Sequence, residues 1–183
     1  MLTLHLAFVP VLRLVALHNQ FDHLKFYAMQ NDIKNILAQV SEVQLSYKSR
    51  IRPKDRPVVR TSGDTYELLM KLWDEDTLEL SESFRVLFMN RANQVTGVYT
   101  ASNGGMTGTV ADMRLIFIAA LKAASCNIIL AHNHPSGNLT PSGADMSLTE
   151  KIVSAGKLLD INVLDHLIVT TEGYYSFADQ GLV

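Results

Sequence analysis

An apolar segment that ends in two histidines constrains the fold of this chain more than any other feature of its sequence. Residues 127–131 (Asn-Ile-Ile-Leu-Ala) predict a buried core strand. A polar loop with proline and glycine follows at residues 132–141, and a helix is predicted over 142–159. His132 and His134 are two residues apart at the strand end. Because side chains alternate along a strand, both imidazoles should point to the same side.

The rest of the sequence alternates between predicted strands and helices. Strands are predicted at short apolar or β-branched runs, and helices where apolar residues recur three and four positions apart. The predicted helices cover residues 30–40, 62–73 and 112–124, the predicted strands cover 42–47, 84–89, 94–102 and 162–170, and a turn at 172–173 leads into 174–177. This alternation around one sheet predicts an α/β fold built in layers.

Composition indicates a compact folded chain without a strong charge preference. Of the 183 residues 48% are hydrophobic, which suffices for a sizeable core, and the formal net charge is -2. Basic residues crowd between Lys48 and Arg60, where Pro53 and Pro57 favour a loop or edge strand and a solvated surface is the usual interpretation. The single cysteine, Cys126, excludes an intrachain disulfide, fits a reducing cytoplasm, and lies in an apolar run typical of a packed, unreactive thiol.

The N-terminal residues follow a different pattern from the rest. Residues 2–17 are apolar, but Pro10 and Arg13 interrupt them, and the stretch is shorter than the ~20 residues that a membrane-spanning helix needs. We therefore expect no membrane partner and a cytoplasmic location. Residues 1–28 are expected to be an extension, either part of the native protein or the result of an upstream start with Met29 as the true first residue.

The two histidines and the following helix together suggest a metal site. Zinc binds imidazole nitrogen and carboxylate oxygen at about 2.0–2.2 Å. His132 and His134 supply two ligands, and Asp145, in the first turn of the next helix, can supply a third. Three protein ligands leave the fourth position for water, which is the catalytic arrangement. Each part has a plainer interpretation, since His-x-His pairs are common, and Ser142 with Asp145 three residues later is also the pattern of a helix cap.

The spacing resembles the JAMM motif of MPN/JAB metalloproteases, which is an upstream glutamate, His-x-His, seven residues, Ser, two residues and Asp. Here the seven residues are 135–141. The run His132-Asn133-His134-Pro135-Ser136-Gly137 is similar to the bacterial RadC branch of that family. The segments 82–90, 164–168 and 175–178 are also similar to RadC, and the resemblance covers residues 42–183.

The resemblance implies an MPN/JAB fold of the cytidine-deaminase-like type, with a mixed central sheet flanked by helices. It implies one zinc ion per chain, held by His132, His134 and Asp145. It implies that Glu82 is the general base and that Ser142 hydrogen-bonds the water or the oxyanion. The implied activity is that of a zinc-dependent hydrolase, a metallopeptidase or isopeptidase with a protein or peptide substrate. Residues 29–60 would then carry a helix, a strand and the basic segment, and residues 61–183 the RadC-like catalytic domain.

Several alternatives stay open at this point. RadC proteins usually carry an N-terminal helix-hairpin-helix region, and residues 1–41 show no such signature, so the chain resembles the shorter branch of the family. A DNA-associated role, with nucleic acid as partner, would rest on the basic segment, and a scaffold with a vestigial site is the third possibility. His166 lies in an apolar strand and is either a core residue or a partner that orients the ligands.

We predict that residues 1–28 are dispensable, because they carry no member of the metal set and match no part of the family pattern. A chain that starts at Met29 should fold and retain its metal. Thermal unfolding and metal analysis of the two lengths check this, and loss of solubility or of metal on truncation would show that the apolar stretch packs against the domain.

Overall fold

The structure, a computed structural model, describes residues 25, 27–32, 34, 46–105 and 111–183. The chain divides into two units, residues 1–46 and 47–183. In the first unit residues 27–32 are helical. All of the strands and helices named below belong to the second unit.

Five strands form one mixed sheet in the order β2-β1-β3-β4-β5. The strands are β1 (Ser83–Met89), β2 (Val95–Asn103), β3 (Asn127–Asn133), β4 (Asn162–Val169) and β5 (Tyr174–Ser176). The helices are α1 (Ser62–Leu72), α2 (Glu75–Leu78), α3 (Met113–Lys122) and α4 (Gly143–Leu158), with a 3₁₀ turn at Pro53–Asp55. Strand β1 is antiparallel to both β2 and β3, α4 connects the parallel strands β3 and β4, and β5 returns antiparallel to β4. The predicted α/β class with a mixed sheet flanked by helices is confirmed.

Local sequence signals explain where the main elements begin and turn. Thr61 and Ser142 are the N-caps of α1 and α4, and each forms a capping box with an aspartate three residues later. The β1–β2 hairpin turns at Asn93, whose φ of 53° lies in the left-handed region that asparagine tolerates better than most residues. These local signals account for the helix starts, whereas the hairpin turn is also held from a distance, because Asn93 accepts from the Asn127 side chain and the Val59 amide.

The sheet is buried on both faces, so its central strands are apolar almost throughout. Helix α1 covers one face, over a core that includes Leu87, Ile129 and Leu167. Helices α3 and α4 supply the core of the other face, which includes Phe84 and Leu130. Because the period along a strand is two, the even-numbered residues of β1 and β3 lie on the face that packs against α3 and α4. That face carries His132.

The differences from prediction lie mainly at the ends of elements. Strand β3 continues through Asn133 instead of ending at residue 131, and the short helix α2 and the 3₁₀ turn carried no clear periodic signal. Residues 46 and 47, predicted as the end of a strand, are not in one, and the remainder of 42–47 lies outside the described residues. Within the predicted helix 30–40, residues 30–32 and 34 are helical, and the others lie outside the described residues. The boundaries at residues 28 and 60 stay predictions.

The described part of the chain contains no helix with both the length and the apolar character needed to cross a bilayer.

We predict that Gly156→Ala destabilises the fold. A Cβ at this position of α4 would lie well inside van der Waals contact of the Ile161 carbonyl oxygen, a backbone atom that cannot rotate away. Overpacking of this kind costs about 1–3 kcal/mol, more than the gain in helix propensity. Gly63→Ala in α1 is the matched control, because its Cβ would meet only ordinary contacts. Denaturant unfolding should separate the two variants, and equal stability would contradict the packing argument.

Candidate metal centre

Three side chains converge at the end of β3, where the N-terminus of α4 passes over the sheet. His132 is the second-to-last residue of β3, His134 directly follows the strand, and Asp145 is in the first turn of α4. His132 is only 1% exposed, whereas His134 and Asp145 are partly buried. One nitrogen or oxygen atom from each of the three lies within 4.8 Å of the others, a group that can hold a metal ion.

The atoms that face one another are the two Nε2 atoms and the carboxylate oxygens. His132 Nε2 lies 3.0 Å from His134 Nε2 and 3.2 Å from Asp145 Oδ1, and His134 Nε2 lies 3.8 Å from Asp145 Oδ2. Ligands about 2.0–2.1 Å from one zinc ion at tetrahedral angles are separated by about 3.3–3.4 Å. The three distances run from 3.0 to 3.8 Å, with two of them measured to different oxygens of Asp145, so the group lies close to the size that one metal ion requires.

The proton positions of His134 support the same interpretation. Its Nδ1 lies 2.5 Å from the carbonyl oxygen of Asn138, which can only accept a hydrogen bond, so Nδ1 carries the proton. In the neutral ring Nε2 then carries a lone pair, and this lone pair faces His132 and Asp145. A lone pair that faces a carboxylate is unfavourable unless a proton or a metal cation lies between them. The donor set therefore fits a metal ion.

Asp145 is held in place by the cap of its own helix. The Ser142 amide donates to Asp145 Oδ2 at 2.7 Å, and the Asp145 amide donates to Ser142 Oγ at 3.2 Å. Burial alone would raise the pKa of Asp145, but the interaction with His132 and the hydrogen bonds of Ser142 together lower the pKa below its ordinary value. The carboxylate is thus ionised and oriented before any ligand arrives.

Ser142 is accordingly a helix cap, as the plainer interpretation of the sequence held. Its side chain is exposed at the edge of the site, and its Oγ accepts a hydrogen bond there. An accepting hydroxyl keeps its own hydrogen for another partner. The cap therefore leaves the predicted role of an oxyanion donor open.

Glu82 immediately precedes β1 and is half-buried. The antiparallel register pairs Phe84 with His132, so continuing it by two residues brings Glu82 opposite His134. Strand alternation places Glu82 on the same face as Phe84, whose ring stacks on that of His132 at 6.0 Å between centroids. Its backbone also pairs with the end of β2 through Gly104 and Gly105. Glu82 is not one of the three residues of the metal group, and its role as a base stays a prediction.

Asn133, the residue between the two histidines, was not predicted to have a role. It is fully buried on the opposite face from His132. Its amide nitrogen donates to the carbonyl oxygens of Leu78 and Ser81, and its Oδ1 accepts from the Ser83 amide at 2.7 Å. Asn133 therefore ties the segment that carries Glu82 to the strand that carries the histidines. Only the burial of a polar residue between two candidate ligands could have indicated this.

His166 and Thr149 lie beneath the site and complete its hydrogen bonds. His166, in β4, is completely buried, and its Nε2 lies 2.8 Å from His132 Nδ1. Its Nδ1 lies 2.6 Å from the Thr149 hydroxyl on α4. Burial lowers the pKa of His166 well below its ordinary value, so the ring is neutral. Both interpretations of His166 from sequence hold at once, because it is a core residue and also a partner of a candidate ligand.

Comparison with known proteins places this site in a described family. The family model for the RadC-like JAB domain matches residues 59–182. A UPF0758 protein of Flavobacterium johnsoniae is 50% identical over 101 residues, which are 55% of this chain and 44% of the relative. UPF0758 proteins of Alkaliphilus metalliredigens and Methanosarcina mazei are 36% and 37% identical over 125 residues, 68% of this chain and 53% of each relative. The chain thus spans about half the length of the curated relatives that it matches.

We predict that His132→Ala and Asp145→Ala each abolish stoichiometric metal binding, because each removes one of three ligands. Metal content, measured on protein purified without an affinity tag, should be about one ion per wild-type chain. Asp64→Ala is the matched control and should keep full metal content, since Asp64 holds the same capping-box position in α1 but lies outside the metal group. Full metal content in His132→Ala or Asp145→Ala would show that the ligand assignment is wrong.

Proposed function

The chain belongs to the family of RadC-like JAB domains, and from that premise we propose that it is a zinc-dependent hydrolase of the JAMM type, acting as a peptidase or isopeptidase. The observation that carries the proposal is the convergence of His132 Nε2, His134 Nε2 and the Asp145 carboxylate into a group that can hold one metal ion. Three protein ligands rather than four are typical of catalytic zinc.

In the proposed mechanism His132, His134 and Asp145 hold the zinc ion. When bound, zinc acts as a Lewis acid that lowers the pKa of water to about 7 and polarises a carbonyl oxygen. Two neutral imidazoles and one carboxylate leave the ion with a net positive charge, which both effects require. The side chains are already oriented, His134 by the Asn138 carbonyl and Asp145 by the helix cap, so little reorganisation is needed on binding.

Glu82 is the proposed general base. Continuing the β1–β3 register by two residues brings the Glu82 backbone opposite His134, and Glu82 is half-buried and so still accessible to water. A carboxylate accepts a proton readily from a water whose pKa has fallen towards 7, and can return it to the leaving amine. The Asn133 hydrogen bonds to the flanking residues keep the Glu82 backbone in register with β3.

Ser142 is the proposed donor to the oxyanion that develops when the carbonyl is attacked. Its Oγ is at the rim of the site, next to Asp145, and its hydrogen is not used in the cap. A donor of this kind supports acyl transfer, which is the reason for favouring hydrolysis of a peptide or isopeptide bond. The nucleic-acid alternative still rests on the basic segment, where Arg52 pairs with Asp55 as on an ordinary solvated surface.

We predict that Glu82→Gln leaves zinc bound but lowers hydrolysis by about 10²–10⁴, because an amide cannot accept the proton. The same reasoning predicts that Ser142→Ala retains more metal than His132→Ala and loses about 10²–10³ in rate. Cleavage of a library of fluorogenic peptides and isopeptide-linked conjugates, with metal content measured in parallel, provides the test.

Glu79→Gln is the matched control for the base. Glu79 is an exposed acid three residues upstream whose carboxylate accepts from the Thr171 hydroxyl, outside the metal group. It should leave both metal and rate unchanged. If Glu79→Gln and Glu82→Gln behave alike, Glu82 is not the base.

A further inference from the structure

His166 is a buried histidine to which the proposed chemistry assigns no role. It is 0% exposed, and its ring stacks on Phe177 with 4.7 Å between centroids. A neutral imidazole has one N–H donor and one lone pair, and both need partners inside a core. The structure gives each ring nitrogen one partner, His132 on one side and Thr149 on the other.

The backbone carbonyl of Asp145, which Thr149 contacts, sets the direction of these hydrogen bonds. The Thr149 hydroxyl donates to the carbonyl oxygen of Asp145 at 2.6 Å, and a carbonyl can only accept. A hydroxyl has one hydrogen, so Thr149 Oγ1 must accept from His166. His166 Nδ1 therefore carries the ring proton.

The same argument continues to the metal centre. With its proton on Nδ1, His166 presents a lone pair at Nε2, which accepts from His132 Nδ1 at 2.8 Å. His132 then has its proton on Nδ1 and its lone pair on Nε2, the atom that faces His134 and Asp145. Each group in this chain donates to the next: His132 to His166, His166 to Thr149, and Thr149 to the Asp145 carbonyl.

We propose that Thr149 and His166 are positioning residues that hold the proton of His132 on Nδ1 and so reserve its Nε2 lone pair for the metal ion. This inference rests on the proposed function, because it concerns the same metal centre. It adds that the tautomer of one ligand is selected from the helix that supplies another ligand, since Thr149 and Asp145 lie one turn apart on α4.

Loss of the Thr149 hydroxyl would release that selection. His166 Nδ1–H would then have no acceptor in a dry core, so the ring would favour a proton on Nε2. From Nε2 it would donate to His132 Nδ1, which would move the His132 proton to the metal-facing atom. Zinc binding would then require both rings to change tautomer, and partners of this type commonly contribute 10–100-fold to metal affinity.

The test is zinc affinity of the full chain, measured by competition with a chromophoric chelator. Thr149→Val keeps the shape of the side chain and should weaken binding by about 10-fold, and Thr149→Ser should restore it. His166→Phe, which keeps the aromatic packing but has no acceptor, should weaken binding by about 10–100-fold. Unchanged affinity in Thr149→Val and His166→Phe would overturn the proposal.

Thr65→Val is the matched control. Thr65 is equally buried, and its hydroxyl donates to the carbonyl four residues earlier in α1, the same helical bond that Thr149 makes, but it has no histidine partner. Its loss should leave zinc affinity unchanged. An equal loss of affinity in both variants would mean that a general loosening of helices explains the effect, and the proposal would be wrong.

The positions of the ring protons can be measured without zinc. Nitrogen-detected NMR of the metal-free chain should show the His166 proton on Nδ1 in the wild type and in Thr65→Val, and a shift towards Nε2 in Thr149→Val. A wild-type chain that shows this tautomer but binds no zinc would contradict the proposed function, while the hydrogen-bonded chain from Thr149 to His132 would still stand. If the wild-type His166 ring is protonated on Nε2, the proposed direction of these hydrogen bonds is wrong, whether or not the chain binds zinc.

Discussion

A histidine that is almost completely buried needs a partner for each ring nitrogen, and His132 is the point on which the rest of this site depends. Its Nδ1 is partnered from below by His166, so its Nε2 is left facing His134 and Asp145. Both groups can present lone pairs towards it, and a cation placed between them would satisfy all three together. A metal ion held there would therefore be the partner of the second ring nitrogen of a core residue.

The two faces of β3 carry side chains with different roles in the site. On the α4 face, His132 contributes to the metal group, and on the α1 face Asn133 binds the backbone of the segment before β1. A one-residue slip of this strand would exchange the two side chains and destroy both functions, since alternation has a period of two. The antiparallel register with β1 and the parallel register with β4 are therefore functional constraints as well as structural ones.

The sequence predicts the parts of the site that local physics determines, and misses those that depend on distant contacts. The strand end with two histidines and the capping box of Ser142 and Asp145 follow from periodicity and helix caps, and they place four of the five proposed residues. The contacts of Asn133 with the segment near Ser83, and of His166 with His132, join residues 50 and 34 positions apart. No periodic pattern encodes such pairs. Glu82 was identified through family resemblance, because its proximity depends on the β1–β3 register.

Asp145 can be both the partner of the helix cap and a candidate metal ligand, because a carboxylate has two oxygens. Asp145 Oδ2 accepts the Ser142 amide at 2.7 Å, while Oδ1 faces His132 at 3.2 Å. The helix cap removes the rotational freedom of the side chain, whose immobilisation would otherwise oppose metal binding. One turn later Thr149 binds the carbonyl of the same aspartate. Helix α4 therefore carries one candidate ligand, Asp145, and contacts a second, His132, through Thr149 and His166. A shift of this helix along its axis would displace both candidate ligands.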